Sequence, residues 1–202
     1  RRSFTPEGLS LYQKSLSAES DIEVRLIGAL MIFSGCPNGE AQDLQRNDLK
    51  LYDIFPHVIF RNTTLRMFGK DRIERSVPLV GKLLKELREY AEGLNSESVA
   101  FFPKHSGKSI DRISTKLAKH ITNCRPNDQR LLSPYSARHT FMDRYKAAEI
   151  PAEIGKYLVG HKDKESNKVH DKYGTGRPPE LFVEHIKKIN DTADWGYFET
   201  YE

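Results

Sequence analysis

Pro134-Tyr135-Ser136-Ala137-Arg138-His139-Thr140-Phe141 opens a helix, and what that helix carries decides how the rest of the chain is read. Proline is favoured at a helix start, where its missing N–H costs no hydrogen bond. Tyr135 and Arg138 then stand one turn apart on the same face. An arginine in the first turn adds a five-donor fork to free backbone N–H groups, a combination suited to phosphate. A solvated arginine on an exposed face fits the segment as well. Further on, Tyr157-Leu158-Val159-Gly160-His161 reads as a helix end, with glycine at the stop and His161 just past it. A histidine there serves equally as a cap. Tyr173-Gly174 follows, preceded by Lys172 and leading into a Gly/Pro-rich turn that ends at Pro179.

Outward from these segments the chain alternates in texture. Residues 7–17 suit a short amphipathic helix. Val24, Ile27, Leu30 and Met31 lie at helical spacing within a predicted helix from Ile22 to Phe33, whose apolar run from Leu26 reads as buried. Turn formers from Ser34 to Gly39, with Pro37 among them, stop it, and Glu40 to Arg46 restarts a short helix. Between Asp48 and Leu79, Pro56, Asn62 and Gly69 punctuate segments rich in Val, Ile, Phe and Leu. That pattern predicts one small three-stranded antiparallel sheet, with a strand over Ile73 to Leu79 and a turn at Gly69-Lys70-Asp71. Val80, Leu83, Leu84, Leu87 and Ala91 then form one apolar helix stripe.

Residues 94–107 and 125–134 read as loops, and helices are expected over 109–123, 135–148, 151–160 and 179–190. Helices, one sheet, then helices make a mainly α-helical α+β domain over residues 1–190. A tail at 191–202 holds Trp195, Tyr197, Phe198 and Tyr201, too aromatic for an idle disordered end.

The bulk numbers narrow the class only a little. Of 202 residues, 38% are hydrophobic and 30% charged, a globular profile. No stretch approaches the roughly 18 apolar residues that span a bilayer, and Arg1 to Pro6 carries no apolar signal region. Cys36 and Cys124 lack a second Cys or His at metal-ligand spacing. They read as reduced thiols in a cytoplasmic protein, with no metal and no cofactor expected. The net charge of +4 suits a polyanion partner without selecting one.

Taken in order, Arg138-His139-Thr140-Phe141, Leu158-Val159-Gly160-His161 and Tyr173-Gly174 resemble the signature of the tyrosine recombinase (phage integrase) family. There the motif runs HxxRHTF, LGH, then a tyrosine about ten residues on. Gly35 to Leu49 is similar to the family's TGxRxxE…L…D stretch, and Arg75-Ser76-Val77-Pro78-Leu79 to the end of its β-hairpin. The likeness spans about residues 20–190. It implies a tyrosine-recombinase catalytic domain that performs site-specific recombination on double-stranded DNA, without metal or cofactor.

In that scheme the Tyr173 hydroxyl attacks a backbone phosphorus and leaves a 3′-phosphotyrosyl link and a free 5′-hydroxyl. Arg138 braces the non-bridging oxygens. His161 donates a hydrogen bond to the same phosphate, and Lys70, at the hairpin turn, is the candidate acid for the leaving oxygen. The family also implies an N-terminal core-binding domain, with no counterpart in residues 1–202, and self-association into a tetramer on DNA.

Two positions depart from the pattern. The family's histidine in HxxR is Tyr135 here, whose phenol can donate to a phosphate but is a different acid–base group. The first clamp arginine of TGxRxxE aligns with Pro37, while Glu40 keeps the acidic position, structural in the family. Loss of one preorganised donor of this kind costs roughly 10²- to 10³-fold in rate. Either Arg25, Arg46 or Arg66 supplies the charge from elsewhere, or the chain is a catalytically impaired, integrase-like DNA-binding protein.

Overall fold

The computed structural model describes residues 2–67, 72–122, 132–161 and 177–191. Its axis is helix α2 (Ile22–Ser34), in which every residue from Leu26 to Ser34 is buried. A helix apolar on all sides has to be surrounded, because each Leu, Ile or Phe taken out of water contributes about 1.5–3 kcal/mol. Helices α1 (Pro6–Ser17), α3 (Asn38–Gln42), α4 (Gly81–Glu92), α5 (Ile110–Thr122) and α6 (Ser136–Ala147) all pack against it. The outer helices are one-sided. α5 buries Ile113, Leu117 and Ile121, four residues apart, and α4 buries Leu83 and Leu87 from the predicted stripe.

The sheet has the order β1 (Leu49–Lys50), β2 (His57–Phe60), β3 (Arg75–Pro78), all antiparallel. Val58 pairs with Val77 and Phe60 with Arg75, and the side chains of these four residues are buried. The architecture expected from the sequence, a mainly helical α+β domain with one three-stranded antiparallel sheet, is the one observed. β3 is shorter than the predicted 73–79 span. Before Arg75 the chain leaves the sheet: the Ile73 N–H bonds the carbonyl of Gly160 at 3.3 Å, and Arg72 forms an isolated bridge with His161.

Other elements differ in detail. The short helix expected from Glu40 to Arg46 is instead α3, ended at Asp43, followed by a 3-10 turn at Arg46–Asp48. Pro37 sits at the N-cap of α3, where its φ of −65° is compatible and its carbonyl accepts from Glu40 and Ala41. The turn at 46–48 closes reciprocally, with the Gln45 N–H donating to Asp48 Oδ2 at 2.9 Å. The last predicted helix divides into a 3-10 turn at Pro179–Phe182 and α8 (Val183–Asp191).

α6 carries α7 (Ala152–Val159) on one side and α8 on another, and α7 also touches β3. Arg144 of α6 donates through Nη2 to Ile189 O and Asn190 Oδ1 at the end of α8. Among the described residues no helix is long and apolar enough to cross a membrane. Lys70, Cys124, Tyr173, the polar stretch 162–172 and the aromatic tail from Thr192 lie outside the described residues.

Candidate active site

The site is assembled on two helix ends. α2 stops at Gly35 and α7 at Gly160, and the final carbonyls of a helix have no partner within it. Those carbonyls also form the negative end of the helix dipole, so guanidinium groups are drawn to them. Gly160 is left-handed, at φ +75°, and the His161 N–H bonds back to Lys156 O at 2.9 Å, so the turn closes as a Schellman-type stop. A side chain at Gly160 would also be obstructed: a Cβ there would lie 2.5 Å from Arg75 Nη1.

Arg138, in the first turn of α6, bridges the two ends. Its Nη1 donates to Gly35 O at 2.6 Å and to Val159 O at 2.7 Å, and the residue is 1% exposed. The solvated-arginine reading is thereby excluded. The Arg138 Nη1 is held on carbonyls from the ends of α2 and α7. Its Nη2 is buried and has no hydrogen-bond partner among the described residues. A buried donor of this kind is costly and marks a place where a further acceptor belongs.

Two more arginines arrive from the hairpin. Arg75 of β3 is fully buried. It donates from Nε to Leu158 O at 2.8 Å and from Nη2 to Glu40 Oε2 at 2.6 Å, while its guanidinium lies over the Phe60 ring. Arg72 donates from Nη1 to Val159 O at 3.0 Å, with its Nε 3.8 Å from Glu40 Oε1. Glu40 of α3 is therefore the carboxylate at the centre of the arginine cluster, the supporting role expected for it.

The cluster's charge is felt by its members. Burial pulls the Arg138 guanidinium down to about 10, and Arg72 adds to the effect, with Tyr135 and Glu40 opposing it. Arg138 still carries its proton at neutral pH. Half-buried His161 is pushed below the ordinary histidine value by desolvation and then by Arg138, Arg72, Arg75 and Lys156. The imidazole is accordingly neutral near pH 7, with one N–H to donate. Tyr135 precedes α6 and sets its ring edge-on to His139 at 5.3 Å.

Of the residues proposed from sequence, Arg138 and His161 are brought together around Val159 and Gly160, and Tyr135 stands beside Arg138. Lys70 and Tyr173 fall outside the described residues. The three arginines considered as substitute clamps are engaged with other groups of the protein. Arg25 faces Glu86 at 3.7 Å, and Arg46 donates to Asn95 O at 3.0 Å. Arg66 is buried and holds the backbone carbonyls of Glu40 and Arg61. Arg72 and Arg75, not weighed for that role, are the ones at the site. Strand periodicity places residues three apart on opposite faces, so their convergence depends on the chain leaving the sheet before Arg75.

Residues 7–171 match the model of the phage integrase family. The chain belongs to the phage integrase family. It is 27% identical over 168 residues to the tyrosine recombinase XerC of Neisseria meningitidis serogroup B, covering 81% of this chain and 50% of that protein. Its fold is that of XerH site-specific recombinase, solved in a pre-cleavage complex with difH substrate, at a TM-score of 0.59 and 16% identity. That match covers 81% of this chain and 48% of XerH. A lambda integrase tetramer bound to a Holliday junction matches at a TM-score of 0.56 and 19% identity, over 85% of this chain and 50% of that one. This phage integrase family chain thus spans about half the length of these three relatives.

Proposed function

We propose that residues 1–190 are the catalytic domain of a site-specific DNA recombinase that cuts and rejoins double-stranded DNA through a 3′-phosphotyrosyl intermediate. The observation that carries this reading is the meeting of Arg138 and His161 at the end of α7, where Arg138 holds the Val159 carbonyl two residues before the histidine. A buried guanidinium nitrogen without a partner among the described residues stands there beside a hydrogen-bond donor. Such a pair suits the non-bridging oxygens of a phosphate diester, where negative charge grows during displacement.

The step balances without an outside energy source. The Tyr173 oxygen bonds the phosphorus as the bond to the 5′-oxygen breaks. The phenol proton leaves to solvent, and Lys70 supplies a proton to the departing 5′-oxygen. Attack by a 5′-hydroxyl on the phosphotyrosine reverses the sequence and reseals a strand. Nearby cations are needed because a free phenol has a pKa of about 10, and the arginine cluster supplies them. Tyr135 contributes a phenol donor next to Arg138. Assembly as a tetramer on DNA, the state in which lambda integrase was solved on a Holliday junction, is the arrangement in which strands are exchanged. The aromatic tail at 191–202 is a candidate contact between neighbours in it.

Incubation with nicked duplexes of randomised sequence tests the reading, since loss of the short downstream strand traps the covalent intermediate. A protein–DNA band that survives denaturant and disappears in Tyr173→Phe supports strand cleavage. Salt-sensitive DNA binding with no covalent band identifies the chain as an integrase-like DNA-binding protein instead.

A further inference from the structure

We infer that Arg72 is the second phosphate-contacting arginine of this site, occupying from the hairpin the role that Pro37 cannot fill; the inference rests on the strand-cleavage reading above. Pro37 caps α3, the helix that carries Glu40, and offers no donor of its own. Arg72 approaches that same Glu40 carboxylate from the opposite chain segment.

Its position is fixed by backbone rather than by side-chain reach alone. The bridge between Arg72 and His161, with the neighbouring bond from Ile73 N–H to Gly160 O, sets Arg72 beside the histidine. Its guanidinium then shares the Val159 carbonyl oxygen with Arg138. With one nitrogen of each on that oxygen the two guanidiniums lie side by side, and two neighbouring forks suit the two non-bridging oxygens of a phosphate. Arg75 is not the second clamp. Its Nε and Nη2 are spent on Leu158 O and Glu40, and its remaining nitrogen, Nη1, is buried under Gly160, whereas the side chain of Arg72 keeps 18% of its surface accessible.

Charge supports the same assignment. Two guanidiniums, those of Arg72 and Arg75, share one carboxylate here, and Arg72 depresses the proton affinity of both Arg138 and His161. A phosphate diester between them relieves that mutual repulsion. The arrangement therefore favours an anion in contact with Arg72 and Arg138 together, and the favour strengthens as charge accumulates on the phosphorane oxygens.

Arg72→Ala should slow covalent trapping on nicked phosphate DNA by roughly 10²- to 10³-fold. Arg25→Ala and Arg46→Ala should stay within about twofold. Replacing the scissile phosphate by a neutral methylphosphonate removes the charge that Arg72 answers. On that DNA the gap between native protein and Arg72→Ala should close to a few-fold, which a merely structural role would not produce. Trapping by Arg72→Ala within twofold of native on phosphate DNA overturns the inference and leaves the strand-cleavage reading standing, as does an undiminished gap on methylphosphonate.

Absence of trapping by the native chain sinks the strand-cleavage reading instead, and inorganic phosphate then decides the clamp. Phosphate should raise the melting temperature of the native chain and not that of Arg72→Ala or Arg138→Ala. Equal shifts in native protein and Arg72→Ala, or no shift in either, overturn it.

Discussion

The guanidinium nitrogens of Arg138 and Arg72 meet at a single acceptor, the Val159 carbonyl oxygen, at 2.7 and 3.0 Å. One comes from the first turn of α6 and the other from the hairpin, so a helix end holds two chain segments in register. Val159 contributes no side-chain chemistry. Its carbonyl is available because α7 stops at Gly160.

The Glu40–Arg75 pair should be a stability element. Both residues are buried and their charges are 2.6 Å apart, so removing one leaves the other uncompensated. Glu40→Gln or Arg75→Met should each lower the unfolding free energy by about 3–5 kcal/mol. The double variant should lose less than the sum. Urea unfolding of the four proteins measures the coupling, and additive losses would show that the pair does not act as a unit.

Gly160→Ala should cost more than an unfavourable backbone angle. The left-handed conformation alone is worth about 1–2 kcal/mol, which is all that Gly107→Ala, also at positive φ but with nothing within 4 Å of the added Cβ, should lose. At Gly160 the added methyl group meets Arg75, so the loss should exceed that of Gly107→Ala by about 1–3 kcal/mol. Thermal unfolding compares the two, and equal losses would mean that Arg75 yields without cost.

His161 should titrate below an ordinary histidine, because burial and the surrounding cations disfavour its charged form. Its unfolded value, near 6.5, lies above its folded one, so the unfolded chain binds more protons in between. Stability from this residue is therefore present above about pH 6.5 and is lost as pH falls from there through the folded value. Arg72→Ala removes one cation and should move the histidine back up. Imidazole NMR titration reads both; a native value at or above 6.5 would contradict the cluster's electrostatics.

Much of this was legible in the sequence. The 3.6-residue spacing of Leu, Ile and Val set out α2 and α4. The Gly160 stop was visible because a helix ending in the left-handed region selects glycine. Arg138 and His161 stood out through the likeness of their segments, in order, to the family's signature. What local pattern could not convey was contact across the fold. Whether Arg138 was solvated or buried depended on the Gly35 carbonyl, more than a hundred positions away.

Arg72 was missed for a related reason. In an unbroken strand it and Arg75 would face opposite ways, and only the stitch of Ile73 to Gly160 brings both to Glu40. Arg25, Arg46 and Arg66 were equally basic in the sequence, and Glu86, the Asn95 carbonyl and the Glu40 backbone carbonyl claim them.

The central claim is that this site directs a tyrosine oxygen onto a DNA phosphorus, and peptide mapping of the trapped complex tests it most directly. Native protein reacted with nicked duplex, then digested with protease and nuclease, should yield the Tyr173 peptide bearing a 3′-phosphonucleotide, absent from the Arg138→Ala digest. A link on any other residue, or DNA bound with no link at all, would contradict the account.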